Sequence, residues 1–572
     1  MYTLGKIKNE IVKKVNKALG KEKIQASDLV YPPDFEMGDL SLPVFELSKK
    51  LKAKPNEIVE KLVGKIKIDK FISKVKAIGP YLNFTINKEY LTREILGEIG
   101  KLKNKYGGSR ELKGKKIMVE FAHPNPFKSF HIGHLRNILL GESIVRILEA
   151  HGAKIIRTNY QGDVGMHIAK CLWAFQKVKP SAYPKTADKK AALLGKCYSQ
   201  GAKAFEAKAK AKKEIIEINK KIYTREDKKI IKLWELGKRW SLEKFYEIYQ
   251  RVDTVFDREY MESEVMADGV KYVKQALKKE ILKKSDGAVV FVGKKYGLDT
   301  RVFLNSAGLP TYEGKELGLA HKEFTDFGKI DFNIHIVAIE QKSFFKVTFK
   351  VEELLNEKMF KSKQYHHAYE FVGLKKGKMS SRKGEVVLGN NILNEANERI
   401  AKIIKDRKEI KNKQELAEIV GVGAVKYGFL KISPFKYLAF DIEASVNFSG
   451  DSGPYLQYTY ARIQSIMRKS QISNLKLQIT NYKLEHEKEY QLVLKLAKYP
   501  EVVLKAGENY DPSEIAKYLF ELAQEFNDYY HSLPVLKAEK EVREARLALI
   551  TAVSQVLKNG LDLLGIKAVD MM

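Results

Sequence analysis

The chain has 572 residues, 44% hydrophobic and 30% charged, the composition of a folded protein with room for roughly three or four domains of about 150 residues each. No apolar run approaches the roughly 18 residues that cross a bilayer, so no membrane span is expected. Lys and Arg number 103 against 71 Asp and Glu, and the resulting +32 points to a polyanionic partner, nucleic acid foremost.

The opening MYTLGKIKNEIVKKVNKALG sets Leu4, Ile7, Ile11, Val15 and Leu19 on one helical face and, lacking a signal-peptide apolar core, reads as a domain's first helix. A turn-rich YPPDFEMGDLSLP, the amphipathic VFELSKKLKAKPNEIVEKLVGKI and an extended FISKVKAIGPYLNFTI complete a small α/β domain over residues 1–108. YGGSRELKGKK is the linker out of it. Next, KKIMVEFAH alternates Ile117, Val119 and Phe121 as a strand does. HLRNILLGESIVRILEAHG follows, with Leu135, Ile138, Leu139, Val145 and Leu148 at helical spacing and a stop at Gly152. With the apolar AKIIRTNY behind it this is a βαβ unit, which implies a parallel sheet with a ligand site at the strands' carboxyl ends.

Residues 176–280 are rich in Lys, Ala and Glu and read as a helical insertion with solvated faces. The only cysteines, Cys171 and Cys197, are too few for a disulfide framework or a thiolate zinc site, and suit a reducing cytoplasm. Strand-like DGAVVFVG, RVFLN and NIHIVAIE resume the sheet domain. From about 415 the pattern is helical to the end, with Asp511 and Glu514 expected as a capping box around Pro512, above Ile515, Leu519, Leu522 and Phe526.

Two motifs carry chemistry. In NPFKSFHIGHLRN, His131 and His134 flank Gly133 where a helix begins. No third or fourth ligand accompanies them as a metal site requires, and a pair beside glycine at a helix start is a poor core feature. Free amides at a helix start favour an anion, and two imidazoles there can donate to phosphate oxygens as charge develops. About 245 residues downstream, KKGKMSSRKGEVV places Lys378, Arg382 and Lys383 among Ser380, Ser381 and Gly384, cations suited to a triphosphate and its pyrophosphate leaving group.

HIGH with KMSSR resembles the signature pair of class I aminoacyl-tRNA synthetases, and the surrounding residues resemble the arginyl-tRNA synthetase family over nearly the whole chain. FEMGDLSLPVFELSKKL and GPYLNFTI are similar to its N-terminal domain. VEFAHPNPFKSFHIGHLRN and NYQGDVGMHIA are similar to its nucleotide fold, and LPTYEGKELGLAHK to its arginine pocket. GDSGPYLQYTYARI and EARLALITAVSQVLKNGLDLLGI are similar to the two ends of its anticodon-binding bundle.

The resemblance implies a Rossmann-type α/β catalytic domain over 109–414, with its KMSKS-like loop at 377–384, and an all-α anticodon-binding domain over 415–572. It implies catalytic roles for His131, His134, Lys378 and Lys383, and ATP contacts from His131, Gly133, His134, Lys378, Met379, Ser380 and Ser381. Glu120, Asn125, His131, Glu262, Tyr312, Glu316 and Gln341 would line the arginine pocket, as acidic and tyrosine side chains suit a guanidinium. The family usually has aspartate where this chain has Glu316, and a second lysine where it has Ser381; Arg382 and Lys383 stand in for the latter. Tyr81 and Asn83, and Asp451, Tyr455, Gln457, Tyr458 and Arg462, match positions that grip tRNA. The implied substrates are L-arginine, ATP with Mg2+ and tRNA(Arg). The expected protein is a cytoplasmic monomer without a structural metal, and its amino-acid activation needs tRNA. A class I lysyl-type synthetase and an inactive tRNA-binding paralogue are the competing readings. The TYEGKELG segment and the terminal bundle disfavour the first, and intact His131, His134 and Lys378 disfavour the second.

Overall fold

The computed structural model describes residues 1–375, 387–471 and 482–572. The N-terminal unit wraps helices around an antiparallel sheet of β1 (Leu40–Pro43), β2 (Ile72–Ile78) and β3 (Tyr81–Ile86), in the order β1-β3-β2. Gly79, at a φ of +54°, opens the two-residue turn that folds β2 onto β3, a conformation side chains with a Cβ resist. The first helix, Thr3–Leu19, buries Leu4, Ile7, Ile11 and Val15 as its periodicity requires. The long amphipathic stretch is two helices, Phe45–Leu51 and Pro55–Val63, because Pro55 lacks the amide to continue one and starts the next.

The central sheet begins with β4 (Lys116–Glu120), β5 (Lys154–Gln161) and β6 (Arg258–Met261). After a small antiparallel sheet of β7 (Lys283–Ser285), β8 (Ala288–Phe291) and β9 (Arg301–Leu304), it resumes with β10 (Phe332–Ala338) and β11 (Gln364–Tyr369). Its order is β11-β10-β4-β5-β6 and every pairing is parallel. The chain leaves β4 toward β5 on one side while β10 lies on the other, so a crevice opens beyond the carboxyl ends of β4 and β10.

The helices Ala187–Ala207, Ala209–Thr224 and Lys228–Arg251 pack around Leu172, Leu194, Ile215, Trp234 and Trp240. The insertion expected over 176–280 is therefore shorter than its composition suggested. Arg258–Met261 is the sheet's own edge strand, too brief to stand out as an apolar run, and Glu262–Lys278 packs on the helix Tyr312–Asp326.

The helix Lys413–Leu430 contributes Leu416, Ala417, Val420 and Val425 to the same core as Ile138, Leu139 and Ile336 of the nucleotide fold. A division at 414/415 thus runs through one packed unit. The remaining bundle of Gly453–Ser470, Glu487–Asn509, Ser513–Ser532 and Lys540–Leu563 shares a continuous apolar cluster with the N-terminal unit, so the two ends of the chain are packed together. Buried polar links seal that contact: Tyr106 Oη donates to Leu496 O at 3.0 Å, and Tyr490 Oη to Asp39 Oδ2 at 2.8 Å. The capping box expected at Asp511 and Glu514 does not form. Asp511 accepts from Ser513 N and Ser433 Oγ, and Glu514 pairs with Lys505 at 3.0 Å.

Candidate active site

The histidine turn is built by the backbone it serves. His131 is the N-cap of the helix Ile132–Ala150: its Nδ1 accepts the amide of Gly133 at 3.1 Å, and the Nδ1 of His134 accepts the amide of His131 at 3.1 Å. Two imidazoles thus make a reciprocal cap, with their rings stacked at 3.8 Å. Because each Nδ1 is an acceptor, the neutral form carries its proton on Nε2. Burial holds both rings below the ordinary histidine range, His134 well below, so each presents a neutral Nε2–H donor. A Cβ at Gly133 would lie 2.9 Å from the His131 ring, which gives that glycine a second reason to be there.

The loop preceding the turn holds Ala122, His123 and Phe127 at positive φ of 78°, 49° and 65°. It is secured by Asn137, whose Oδ1 accepts the amide of Ala122 while its Nδ2 donates to Ile336 O at 2.7 Å. Strain concentrated beside a catalytic crevice and overridden by such clamps is the usual economy of an active site.

Beyond β4 and β10 lies an acidic floor. Glu120 and Glu316 are both nearly inaccessible, and Glu120 Oε2 and Glu316 Oε1 have no hydrogen-bond partner. Glu323 and Glu352 are equally buried beside them. Against these four carboxyls His335, the register partner of Glu120 across the sheet, brings Nδ1 to 3.2 Å from Glu120 Oε1. Burial is the largest effect and works to raise Glu120, but the charge and hydrogen bond of His335, the His123 charge and a hydrogen bond with Glu323 together hold the carboxyl low. Reciprocally, burial works to lower His335, and the charge and hydrogen bond of Glu120, with Glu316 and Gln364, lift it to about 9. Burial, then the Glu120 charge, pushes Glu316 and Glu323 well up. Tyr160 is sealed among Glu262, Glu316 and Glu120 with its hydroxyl unpartnered.

A second acidic group sits at the mouth. Asn125 Oδ1 accepts the amide of Gly162 at 2.8 Å, and the Cβ that Gly162 lacks would approach Asn125 Oδ1 at 2.7 Å and Glu262 Oε1 at 3.3 Å. Glu262 does not stand free: Lys315 Nζ, itself buried, reaches its Oε2 at 2.7 Å. The same ammonium lies 4.9 Å from the centroid of Tyr312, which is 67% exposed at the rim, not inside the pocket. Gln341 is half-buried at the end of the short helix that leaves β10.

Lys378, Met379, Ser380, Ser381 and Lys383 lie outside the described residues. On one side of them Lys375 N donates to Phe440 O, and on the other Val387 O accepts from Ile132 N, both at 2.9 Å, so the chain just after that segment meets the histidine turn. Among the described residues no group of His, Cys, Asp and Glu is arranged to hold a metal ion, and no helix is long and apolar enough to cross a membrane.

The positions expected to grip tRNA divide by exposure. Tyr81 is 38% exposed and packs edge-on to the exposed Phe45. On the helix Gly453–Ser470, Tyr455, Tyr458 and Arg462 share one face, with Arg462 5.0 Å from the Tyr458 centroid and bonded to Asn527 Oδ1 at 2.7 Å. Asp451 is exposed and held by Lys431 at 3.0 Å. Asn83 and Gln457 are sequestered instead. Asn83 lies inside the small sheet with its amide on Tyr81 O, and Gln457 is turned inward to Lys567 O at 2.7 Å, so neither side chain is presented to a macromolecule.

Sequence reasoning passed over Lys315, His335, Tyr160, Glu323 and Glu352. A signal existed for one of them: His335 interrupts the apolar alternation of NIHIVAIE in a strand buried on both faces. The others needed the packed fold.

Comparisons with known proteins agree along the length of the chain. Family models described as "tRNA synthetases class I (R), catalytic domain", "Arginyl tRNA synthetase N terminal domain" and "DALR anticodon binding domain" match residues 97–442, 5–86 and 456–572. The arginine–tRNA ligase of Halothermothrix orenii is 35% identical over 555 residues, 95% of each chain. That of Treponema denticola is 35% identical over 562 residues, 95% of this chain and 94% of the relative. The solved arginyl-tRNA synthetase of Thermus thermophilus superposes with a TM-score of 0.81 at 26% identity, covering 99% of this chain and 100% of that one. With its parallel nucleotide fold, its histidine turn and these relatives, the chain belongs to the arginyl-tRNA synthetase family of class I synthetases and is an arginine–tRNA ligase.

Proposed function

We propose that the acidic floor beneath the histidine turn is the arginine pocket, and that the turn itself serves the phosphates of ATP. The observation that carries this reading is the set of buried carboxyl oxygens without a donor, Glu120 Oε2, Glu316 Oε1, Glu323 Oε1 and Glu352 Oε1, of which Glu120 and Glu316 belong to the segments that resemble the arginine pocket. Such groups are costly alone and are satisfied by a planar, permanently charged guanidinium. Asn125, Glu262 and Gln341 at the crevice mouth suit the α-amino end of the substrate, and Tyr312 at the rim closes over its stem.

In the first reaction the arginine carboxylate attacks the α-phosphorus of ATP, forming arginyl-adenylate and releasing pyrophosphate. The Nε2–H groups of His131 and His134 donate to phosphate oxygens as negative charge builds, the neutral imidazoles acting as fixed dipoles. Gly133 keeps the backbone side of that approach open. Lys378 and Lys383 neutralise the departing pyrophosphate, Met379, Ser380 and Ser381 contact the ATP, and Mg2+ would come with the nucleotide phosphates. In the second reaction a hydroxyl of the terminal ribose of tRNA(Arg) attacks the adenylate carbonyl and AMP leaves. The exposed Tyr81 and Asp451 and the half-buried Tyr455, Tyr458 and Arg462 form the tRNA-facing set, aromatic faces beside arginine being what unstacked bases require.

The test is ATP consumption with total tRNA and each of the twenty amino acids in turn. Arginine alone should respond, and a response to lysine would overturn the pocket assignment.

A further inference from the structure

His335 belongs to none of the groups assigned above, yet it stands at the centre of a buried hydrogen-bonded chain that runs away from the arginine pocket. Gln364 Nε2 donates to Glu352 Oε2 at 2.8 Å, which leaves Gln364 Oε1 facing His335 Nε2 at 3.1 Å. An amide oxygen only accepts, so Nε2 carries a proton. On the other side Nδ1 meets Glu120 Oε1 at 3.2 Å; against an ionised carboxylate, Nδ1 must donate as well. Both ring nitrogens are then protonated and the residue is an imidazolium. Phe345 and Phe349 flank it with centroids at 5.2 Å each, aromatic neighbours that favour a cation.

We propose that His335 is a positioning residue for arginine recognition: it fixes the Glu120 carboxylate through Oε1, supplies its counter-charge, and so leaves Oε2 free for the guanidinium. The inference rests on the reading of Glu120 as a guanidinium acceptor. A buried carboxylate with no cation beside it takes up a proton and loses its value to a cationic substrate, and in the empty pocket His335 prevents this. The ionisable groups around the ring are Glu120 and His123 from β4 and the loop after it, Glu316 from the helix Tyr312–Asp326, Glu352 from the helix Lys342–Leu355, and His366 from β11. Glu323, its carboxyl pushed well up by burial and by the Glu120 charge, also hydrogen-bonds to Glu120 and helps keep it ionised. Burial holds His123 and His366 below the ordinary histidine range, and with Glu316 and Glu323 pushed well up the one strong ion pair is His335 with Glu120.

The experiment measures arginine KM, ATP KM, kcat and the protons released on arginine binding for full-length His335→Gln, Gln364→Met and Glu120→Gln, with melting curves to establish folding. His335→Gln should raise arginine KM about tenfold or more, with kcat and ATP KM within about twofold of wild type. It should also release about one more proton than wild type when arginine binds near neutrality, because Glu120 now starts protonated. Gln364→Met should move the same quantities in the same direction by less, and serves if His335→Gln does not fold. In Glu120→Gln/His335→Gln the additional proton should vanish. A wild-type arginine KM and proton count in folded His335→Gln, with KM raised in Glu120→Gln, would overturn the role of His335 and leave the pocket standing. A wild-type arginine KM in Glu120→Gln would remove the pocket reading and this inference with it.

Discussion

The amide of Ile132 donates to the carbonyl of Val387 at 2.9 Å, and the amide of Gly389 returns a bond to Phe130 O at 2.9 Å. The histidine turn is thereby sewn to the chain just beyond the cationic motif, although the two are far apart in sequence. Phosphate donors on rigid backbone and cations on an adjoining segment are what an in-line displacement at phosphorus requires.

His134 caps the amide of His131, and in the proposed mechanism it also donates to phosphate. His134→Ala should cut adenylate formation by roughly 10²-fold or more and also lower stability by about 1 kcal/mol through the lost cap. His134→Asn keeps a cap acceptor but not the reach of Nε2. Its melting temperature should return toward wild type while its pyrophosphate-exchange rate stays low; recovery of both would assign the histidine to structure alone.

Glu316→Gln should raise arginine KM by one to two orders of magnitude, about 1.5–3 kcal/mol for a charged hydrogen bond, with ATP KM little changed. The pH dependence carries a sign. Burial first and the Glu120 charge second hold the Glu316 carboxyl well above its ordinary value, so the empty pocket keeps its proton and arginine displaces it. Wild-type arginine KM should therefore fall as pH rises above the ordinary carboxylate range, and Glu316→Gln should flatten that slope. Steady-state kinetics across this range reads both effects.

Breaking the Glu262–Lys315 pair from one side strands a buried charge. Lys315→Met should destabilise the protein on the order of 3–5 kcal/mol, and Lys315→Met/Glu262→Gln should recover most of it. Chemical denaturation of the two singles and the double measures the coupling; additive losses would mean that the pair is not one energetic unit.

Tyr458 and Arg462 stand, half-buried, on one face of the helix Gly453–Ser470. Tyr458→Ala and Arg462→Ala should each weaken tRNA binding while leaving arginine KM unchanged, and Arg462→Ala should also reduce the slope of log affinity against log salt by about one. Filter binding over a salt series distinguishes a phosphate contact, which lowers the slope, from a stacking one, which does not.

Arginine-dependent ATP–pyrophosphate exchange should require tRNA. The helix capped by His131 is fastened at its far end to the anticodon bundle: Ser143 Oγ donates to Leu563 O at 2.9 Å, Arg146 reaches Asp562 at 3.2 Å, and His151 meets Val503 O at 3.0 Å. Binding energy gained on the bundle thus has a solid connection to the phosphate donors. Exchange with and without cognate tRNA, after removal of co-purified nucleic acid, should differ by about tenfold or more; equal rates would break the link.

The sequence alone determined the parts whose signals are local. Periodicity marked the first helix through Ile7, Ile11 and Val15, and the strand–helix–strand unit through Val119, Leu139 and Ile156, because burial of one face writes itself into residue spacing. The histidine and KMSSR motifs were legible because the residues that carry their chemistry are contiguous in the sequence. Tertiary structure alone decided what depends on which segments meet. Asn83 and Gln457 lie in regular elements where exposed and buried faces alternate, and only packing showed that theirs are the inward ones. Lys315 precedes the pocket's own Glu316 in the chain yet turns to Glu262. The floor gathers Glu120, Glu316, Glu352, His335 and Gln364 from three strands of the parallel sheet, β4, β10 and β11, and from two helices, through contacts 12 to 215 residues apart. Whether each of those groups is charged follows from its burial and its partner, neither of which a linear sequence contains.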